Sequence, residues 1–308
     1  MSILVPPLLR RLLRRRPADR DPPAHRGPEA ARGLRSTART PAHSAGQSRP
    51  ERIERKAGRP ELLISRPYLL DTLLDGLDAL DVPRRLGVNV DDVDPLLADS
   101  DLVVGADGIN SAVRGASFGG RSGPRQVGTV AWIGIAGFES GVYGETWGKG
   151  RFFGMTPVEP GRTNWYATVS EATTAEQLRD HFADWHDPIP RILHETDPST
   201  WIRYEMRHLF PALPTFVHGG KVALVGDAAH AMTPNLGQGA CTAILDAEAL
   251  TRAVAEHTAS DLPGALRAYD TERRRSAQRI AFGSRTLHRL MSTHRTGARD
   301  AVVRMLPG

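Results

Sequence analysis

Residues 221–241 read Lys221-Val-Ala-Leu-Val-Gly226-Asp227-Ala-Ala-His230-Ala-Met-Thr-Pro234-Asn-Leu-Gly237-Gln-Gly239-Ala-Cys241. The run at 221–225, Lys-Val-Ala-Leu-Val, has the pattern of a short buried strand. It delivers Asp227 at its C-terminal end, where open α/β sheets bind ligands. The Pro-Asn-Leu-Gly-Gln-Gly loop then opens a helix predicted from about Gly237 to Val254. Ile244, Ala247, Leu250 and Val254 fall at three- and four-residue spacing and are expected to face inward. Unsatisfied N–H groups at that helix start, and the positive end of its dipole, favour negative charge on a planar ligand edge. The small residues of the string allow close approach of such a ligand.

Working outward, Asp101-Leu-Val-Val-Gly105-Ala-Asp107-Gly108-Ile-Asn110-Ser111-Ala-Val-Arg114 repeats the plan. A short buried strand at 101–104 runs into a small-residue turn and then a helix, whose free N–H groups favour anions. Between the two strings, residues 127–170 alternate apolar and polar, with Trp132, Phe138, Tyr143, Trp147, Phe152, Phe153, Trp165 and Tyr166 among them. This predicts several antiparallel strands. A helix is predicted at 175–185 and a longer one at about 262–290. Upstream, Leu69, Leu70, Leu73, Leu74, Leu77 and Leu80 predict an amphipathic helix over 66–80, with Pro67 suited to its first turn. Aromatics at alternating sheet positions serve as core more often than as pocket lining, so Trp132, Trp147, Phe153 and Trp165 are read first as core.

Together the two strings resemble the class A flavoprotein monooxygenases, the para-hydroxybenzoate hydroxylase-like family. Its urate- and salicylate-hydroxylase-like members are the nearest in pattern. Glu145-Thr-Trp-Gly148 and Arg151-Phe-Phe-Gly154 resemble the family's substrate-domain sheet, and Phe182-Ala-Asp-Trp185-His186 resembles the helix behind it. Ile64-Ser-Arg66 and the following leucines look like the helix carrying a flavin-contacting arginine.

The resemblance implies an α/β protein with an FAD/NAD(P)-binding, glutathione reductase-like fold and an antiparallel-sheet substrate domain. It implies FAD and NAD(P)H as cofactors, and O2-dependent hydroxylation of a small aromatic or heteroaromatic substrate. The flavin performs the oxygen chemistry, so no nucleophilic triad and no catalytic side chain is expected. Asp227 is expected on the ribityl chain, with Gly226 permitting close approach. Pro234, Asn235, Leu236, Gly237, Gln238 and Gly239 are expected against the flavin ring. Asp107 and Gly108 are expected near the pyrophosphate and the nicotinamide path, and Arg66 near the phosphate or ribityl side. His230 is read as a structural hydrogen-bonding group, and Cys241 as a small buried filler.

The pattern departs from the family at its start. The Gly-x-Gly-x-x-Gly turn that holds a dinucleotide pyrophosphate is absent: Gly148 and Gly150 are followed by Gly154, one residue late. Residues 82–100 are also short for the strands usually found there. Residues 1–60 hold fourteen Arg and one Lys against two Asp and three Glu, and nine of the 23 prolines. The remaining residues carry a net −5 of the overall +5.

The first 60 residues are therefore read as a mostly disordered basic segment, joined to the family body as by a frame error or a truncated gene. The fold is expected to be N-terminally incomplete. The alternative to an active hydroxylase is a non-catalytic remnant that holds FAD poorly. The expected organisation is a partial FAD-binding domain at 61–127 and 210–255, a substrate domain at 128–209, and a helical segment at 256–308.

With 40% hydrophobic and 24% charged residues the body is ordinary for a globular protein. It reads as a mildly acidic cytoplasmic enzyme. One cysteine excludes an intramolecular disulfide and a Cys-rich metal site, and no metal is expected. No apolar run approaches the length of a membrane span. Nucleic acid is an unlikely partner, because the basic segment has no interleaved aromatics.

Overall fold

A computed structural model describes residues 64 and 66–294, apart from 149 and 171–173. The basic segment and the chain's last fourteen residues lie outside the described residues. Two sheets organise the rest.

The first has three strands, β1 (Val103–Gly105), β8 (Val222–Leu224) and β7 (Val217–His218), in the order β1-β8-β7. The strands β1 and β8 are parallel, with Val103 opposite Val222 and Gly105 opposite Leu224. They are the two apolar runs read from the sequence. All three residues of β8 are buried. In β1, Val104 is 42% exposed, so that strand is buried on one face only.

The second sheet has five antiparallel strands: β2 (Gly123–Ala136), β3 (Gly144–Trp147), β4 (Phe152–Glu159), β5 (Arg162–Val169) and β6 (Ile202–Phe210), in the order β3-β4-β5-β2-β6. One face packs on α4 (Ala175–Phe182) and α5 (Ile189–Glu195). Thr174 and Gln177 form a reciprocal capping box that starts α4. Trp132, Phe153, Trp165, Phe182 and Ile192 fill the space between sheet and helices, and Phe153 stacks on Trp165 at 5.6 Å. Trp132, Phe153 and Trp165 are thus core, whereas Trp147 is half-buried on the opposite face.

The parallel strands are covered by α3 (Ala112–Phe118), α6 (Asp227–His230), α7 (Gly239–Glu256) and α8 (Leu262–Met291). Leu224, Phe216 and Tyr269 sit at the centre of this second core, and the Tyr269 hydroxyl donates to Leu224 O at 2.7 Å. Full burial of each such side chain contributes about 1.5–3 kcal/mol. In α8, Leu266, Tyr269, Arg273, Ala277, Ser284, His288 and Met291 are buried at helical spacing.

Two expectations about helix faces need correction. In α7 the buried residues are Cys241, Thr242, Asp246, Ala249, Leu250 and Ala253. Of the four predicted inward residues only Leu250 is buried; Ala247 is exposed, Ile244 is half-buried and Val254 is exposed. Apolar periodicity gave no weight to Asp246, whose carboxylate turns the helix toward three polar partners. The helix α1 (Arg66–Asp78) forms where predicted, but buries Thr72 and Gly76 rather than its leucines. Leu70 and Leu73 are 55% and 41% exposed. Two small residues four apart give α1 a flat contact strip, with Leu69, Leu74 and Leu77 half-buried beside it. A short helix α2 (Asp94–Asp99) follows. Among the described residues no helix is long and apolar enough to cross a membrane.

Candidate flavin site

Both motif turns leave the C-terminal ends of adjacent parallel strands. The Val225 N–H donates to Gly105 O at 3.0 Å, so the strand pairing continues to the point where the turns diverge. Gly226 has φ +58, and a Cβ there would sit 3.1 Å from Ala243 Cβ. The left-handed backbone and the tight contact with α7 both select glycine. Asp227 follows, exposed at the start of α6. Its carboxylate is available to a ligand.

The loop after α6 forms a 3-10 turn at Pro234–Leu236 and a left-handed Gly237 at φ +61. The helix α7 then starts with no side-chain cap at Gln238. Pro234 and Leu236 are exposed, and Asn235, Gly237, Gln238 and Gly239 are half-buried. Asn235 donates to Met291 Sδ at 3.3 Å, while its Oδ1 is buried without a partner. A Cβ at Gly239 would meet open space. An orphaned carbonyl, an uncapped helix start and a side chain-free approach form a polar cradle. These residues fit the donor- and acceptor-bearing edge of a planar ring.

In the other turn Gly108 has φ +78 with open space beside it. Asp107 is exposed, and its Oδ2 accepts the Val113 N–H at 3.1 Å. The carboxylate thereby caps α3, beside Ser111, which accepts from Arg114 N at 2.9 Å. Asp107 therefore shapes its turn in addition to any ligand contact. Arg66 begins α1 and is exposed. It lies near Tyr204 on β6, whose phenol burial pushes up in pKa while the Arg66 charge draws it down.

Three residues that hold the site were not given a role by sequence reasoning. Arg114, buried, donates to Ala228 O at 3.0 Å and to Ile109 O at 2.7 Å. It joins the two turns. Burial pushes its pKa down and the nearby Asp107 opposes this. Asp246, fully buried, accepts from Gly226 N at 3.0 Å and Arg273 Nε at 2.9 Å, and lies 2.5 Å from His230 Nε2. His230 is thus a structural partner, as expected. The sequence signal was an aspartate set within the apolar run Ala243-Ile-Leu-Asp246-Ala247 of the helix. Third, Ser284 on α8 accepts from Leu236 N at 3.4 Å and donates to Thr233 O at 2.5 Å, which fixes the loop from behind. Cys241 is buried, and burial pushes its thiol pKa up, in keeping with a filler.

On the five-stranded sheet, β3, β4 and β5 bring Glu145, Gly154 and Tyr166 into one cross-strand row. A Cβ on Gly154 would lie 2.2 Å from Tyr166 Cζ, so the tyrosine ring crosses directly over the glycine. Gly154→Ala is expected to displace Tyr166 and cost about 1–3 kcal/mol by overpacking. Thermal denaturation checks this, and an unchanged melting temperature would refute it.

Comparison with known proteins agrees with this geometry. A family model described as "FAD binding domain" matches residues 94–284. The chain is 36% identical over 250 residues to the aurachin C monooxygenase/isomerase of Stigmatella aurantiaca, covering 74% of this chain and 64% of that protein. It is 33% identical over 244 residues to an FAD-dependent urate hydroxylase of Klebsiella pneumoniae subsp. pneumoniae, covering 72% of this chain and 62% of that one. It thus spans just under two thirds of the length of these relatives. Among solved structures, Klebsiella pneumoniae HpxO complexed with FAD and uric acid superposes with a TM-score of 0.70 at 26% identity, covering 82% of this chain and 70% of that one. The strand-end acid, the glycine-bearing loop and the family match over both motif turns lead to one conclusion: this chain belongs to the FAD binding domain family of class A flavoprotein monooxygenases.

Proposed function

We propose that the chain is an FAD-dependent monooxygenase that uses NAD(P)H and O2 to hydroxylate a small aromatic or heteroaromatic substrate. The observation that carries this reading is the convergence of exposed Asp227, the uncapped α7 start and the orphaned Asn235 carbonyl at the ends of β1 and β8.

Asp227 would hold ribityl hydroxyls as a hydrogen-bond acceptor. The residues from Leu236 to Gly239 would face the pyrimidine edge of the ring, where the helix start favours the negative charge of the reduced flavin. Asp107 and Gly108 would border the pyrophosphate, and Arg66 would supply a positive charge on the phosphate or ribityl side. Bound FAD supplies the redox and oxygen-transfer chemistry. The protein positions the ring, orients the substrate and excludes water. Residues 128–209 would form the substrate-binding unit, with the segments around them holding the cofactor.

A second reading, a family member that holds FAD too weakly to act, is favoured by one observation. Among the described residues the cofactor sheet has three strands, and Val104 on its β1 edge is 42% exposed.

Titration of FAD into the purified chain, followed by removal of excess and a visible absorption spectrum, separates the two. Near-stoichiometric retained flavin, with NAD(P)H oxidation stimulated by aromatic compounds, is the expected result. Asp227→Ala is expected to weaken FAD retention about 10- to 100-fold, the loss of one or two hydrogen bonds to a charged group, with little change in melting temperature because Asp227 is exposed. Loss of all flavin from folded wild-type protein would favour the second reading.

A further inference from the structure

One face of the five-stranded sheet carries two complete cross-strand rows, buried at Ala131, Phe152, Gly154 and Thr168 and more open toward its edges. One runs Glu145, Gly154, Tyr166, Ile133, Ile202 across β3, β4, β5, β2 and β6. The next runs Trp147, Phe152, Thr168, Ala131, Tyr204. This face is opposite the one that packs on α4 and α5. At its β6 flank Ile202 is 62% and Tyr204 37% exposed, and the Arg66 charge reaches Tyr204. On the β3–β4 side, the loop at Gly150 abuts Ser292 and His294 at the end of α8. That end also contacts Asn235 of the flavin loop through Met291. The face is largely apolar and opens at its β6 flank, beside Arg66, while its other end meets the end of α8 that also holds the flavin loop.

Among the described residues of these rows the carboxylate is Glu145, half-buried and held in place from two sides. The Tyr166 hydroxyl donates to Oε1 at 2.9 Å and the Trp147 indole N–H donates to Oε2 at 3.0 Å. Both partners are neutral donors. A carboxylate offers about four lone-pair sites, so each oxygen retains capacity for a further donor. Because Gly154 lets the Tyr166 ring lie flat, the anchoring hydroxyl has a fixed position. The fixed group therefore presents acceptors to the face. An aromatic acid brought here would set one carboxylate against another.

We infer that Glu145 is the specificity-determining residue of the substrate pocket, accepting a ring N–H, and that the substrate is an N–H-bearing heteroaromatic rather than an aromatic carboxylate. This rests on the reading of the chain as a flavin-dependent hydroxylase. Tyr166 and Trp147 act as positioning residues for the Glu145 oxygens.

The test is calorimetric binding to the full chain, with and without FAD. The N–H probes are 2-quinolone and uracil. Their controls are 1-methyl-2-quinolone, 1,3-dimethyluracil and salicylate. Wild-type protein is expected to bind at least one N–H probe about 10-fold or more tightly than its methylated partner and than salicylate. A hydrogen bond to a charged group is worth roughly that or more. Glu145→Gln removes the charge and turns one of the two acceptor oxygens into a donor, and is expected to abolish the preference.

Tyr166→Phe leaves the carboxylate but removes one anchor, and is expected to reduce the preference several-fold. It keeps the question open to measurement should Glu145→Gln fail to fold. An unchanged preference in folded Glu145→Gln would overturn the inference. So would salicylate binding best to the wild type, or no N–H probe binding. Flavin retention, read separately from the visible spectrum, tests the parent reading: loss of flavin with the N–H preference intact overturns that reading alone.

Discussion

Asp246→Ala is expected to destabilise the protein by about 3–5 kcal/mol, the usual cost of leaving one member of a buried ion pair uncompensated. For a body of this size that corresponds to a fall in melting temperature of roughly 6–20 °C. Among the described residues Arg273 would keep one acceptor in the core beside α7, the Thr242 carbonyl at 3.4 Å. His230 would lose its Nε2 partner while its Nδ1 is already buried without one. The N–H of Gly226 would lose its acceptor, and with it the restraint on the turn that presents Asp227.

The damage should therefore be double: a lower melting temperature by calorimetry and weaker FAD retention at temperatures where the chain is still folded. Asp246→Asn keeps the shape and one acceptor oxygen, and should lie between the variant and wild type. A fall of less than about 3 °C in Asp246→Ala would show that the core relaxes around the loss, against the roughly 2–4 °C per kcal/mol expected here.

The second large effect concerns Arg114. Its guanidinium satisfies the Ile109 and Ala228 carbonyls from a buried position. Arg114→Met keeps most of the apolar stem but leaves two acceptors unsatisfied. Each costs about 1–3 kcal/mol, so a loss of about 2–4 kcal/mol is expected after partial relaxation. Arg114→Lys separates charge from geometry, because an ammonium lacks the planar fork that spans both carbonyls. It should recover only part of the loss. Since Arg114 joins the Asp107 turn to the Asp227 turn, both variants should also gain less thermal stability from added FAD than wild type does. Denaturation curves with and without the cofactor check this, and an equal FAD-induced shift in all three proteins would argue that the two turns hold their spacing without the bridge.

The elements that carry the cofactor turns were legible because they are local. An apolar run ending in Gly-Asp or Gly-x-Asp-Gly, followed by a helix, is specified within about twenty residues. The structure places both runs as adjacent parallel strands. The helix from 262 to 291 was legible for the same reason, through an uninterrupted periodic pattern. The buried face of α7 was not, because its orientation depends on Arg273, 27 residues away from Asp246 in sequence. A single chain read for hydrophobicity ranks Ile244 above an aspartate. Likewise Glu145, Gly154 and Tyr166 were visible as residues, two of them within quoted motifs, but their association depends on strand register. A shift of one residue in β4 would place Gly154 on the other face. The leucines of α1 show the limit in the other direction, since periodicity reports amphipathicity without saying which strip is covered.

The helix α8 works as a common ruler for the molecule. Tyr269, Arg273, Ser284, His288 and Met291 each meet a different partner, namely Leu224, Asp246, Thr233, Thr129 and Asn235. All lie on one face of a single rod, so their separations along the chain are as constrained as their identities. One residue inserted between 273 and 284 would rotate everything beyond it by about 100°, detaching the flavin loop at Ser284 and the five-stranded sheet at Thr129 while leaving Arg273 in place. Substitutions on the solvent side of the rod should be tolerated widely, whereas changes in its length between 269 and 291 should not. Over this interval the sequence encodes a distance as much as a surface.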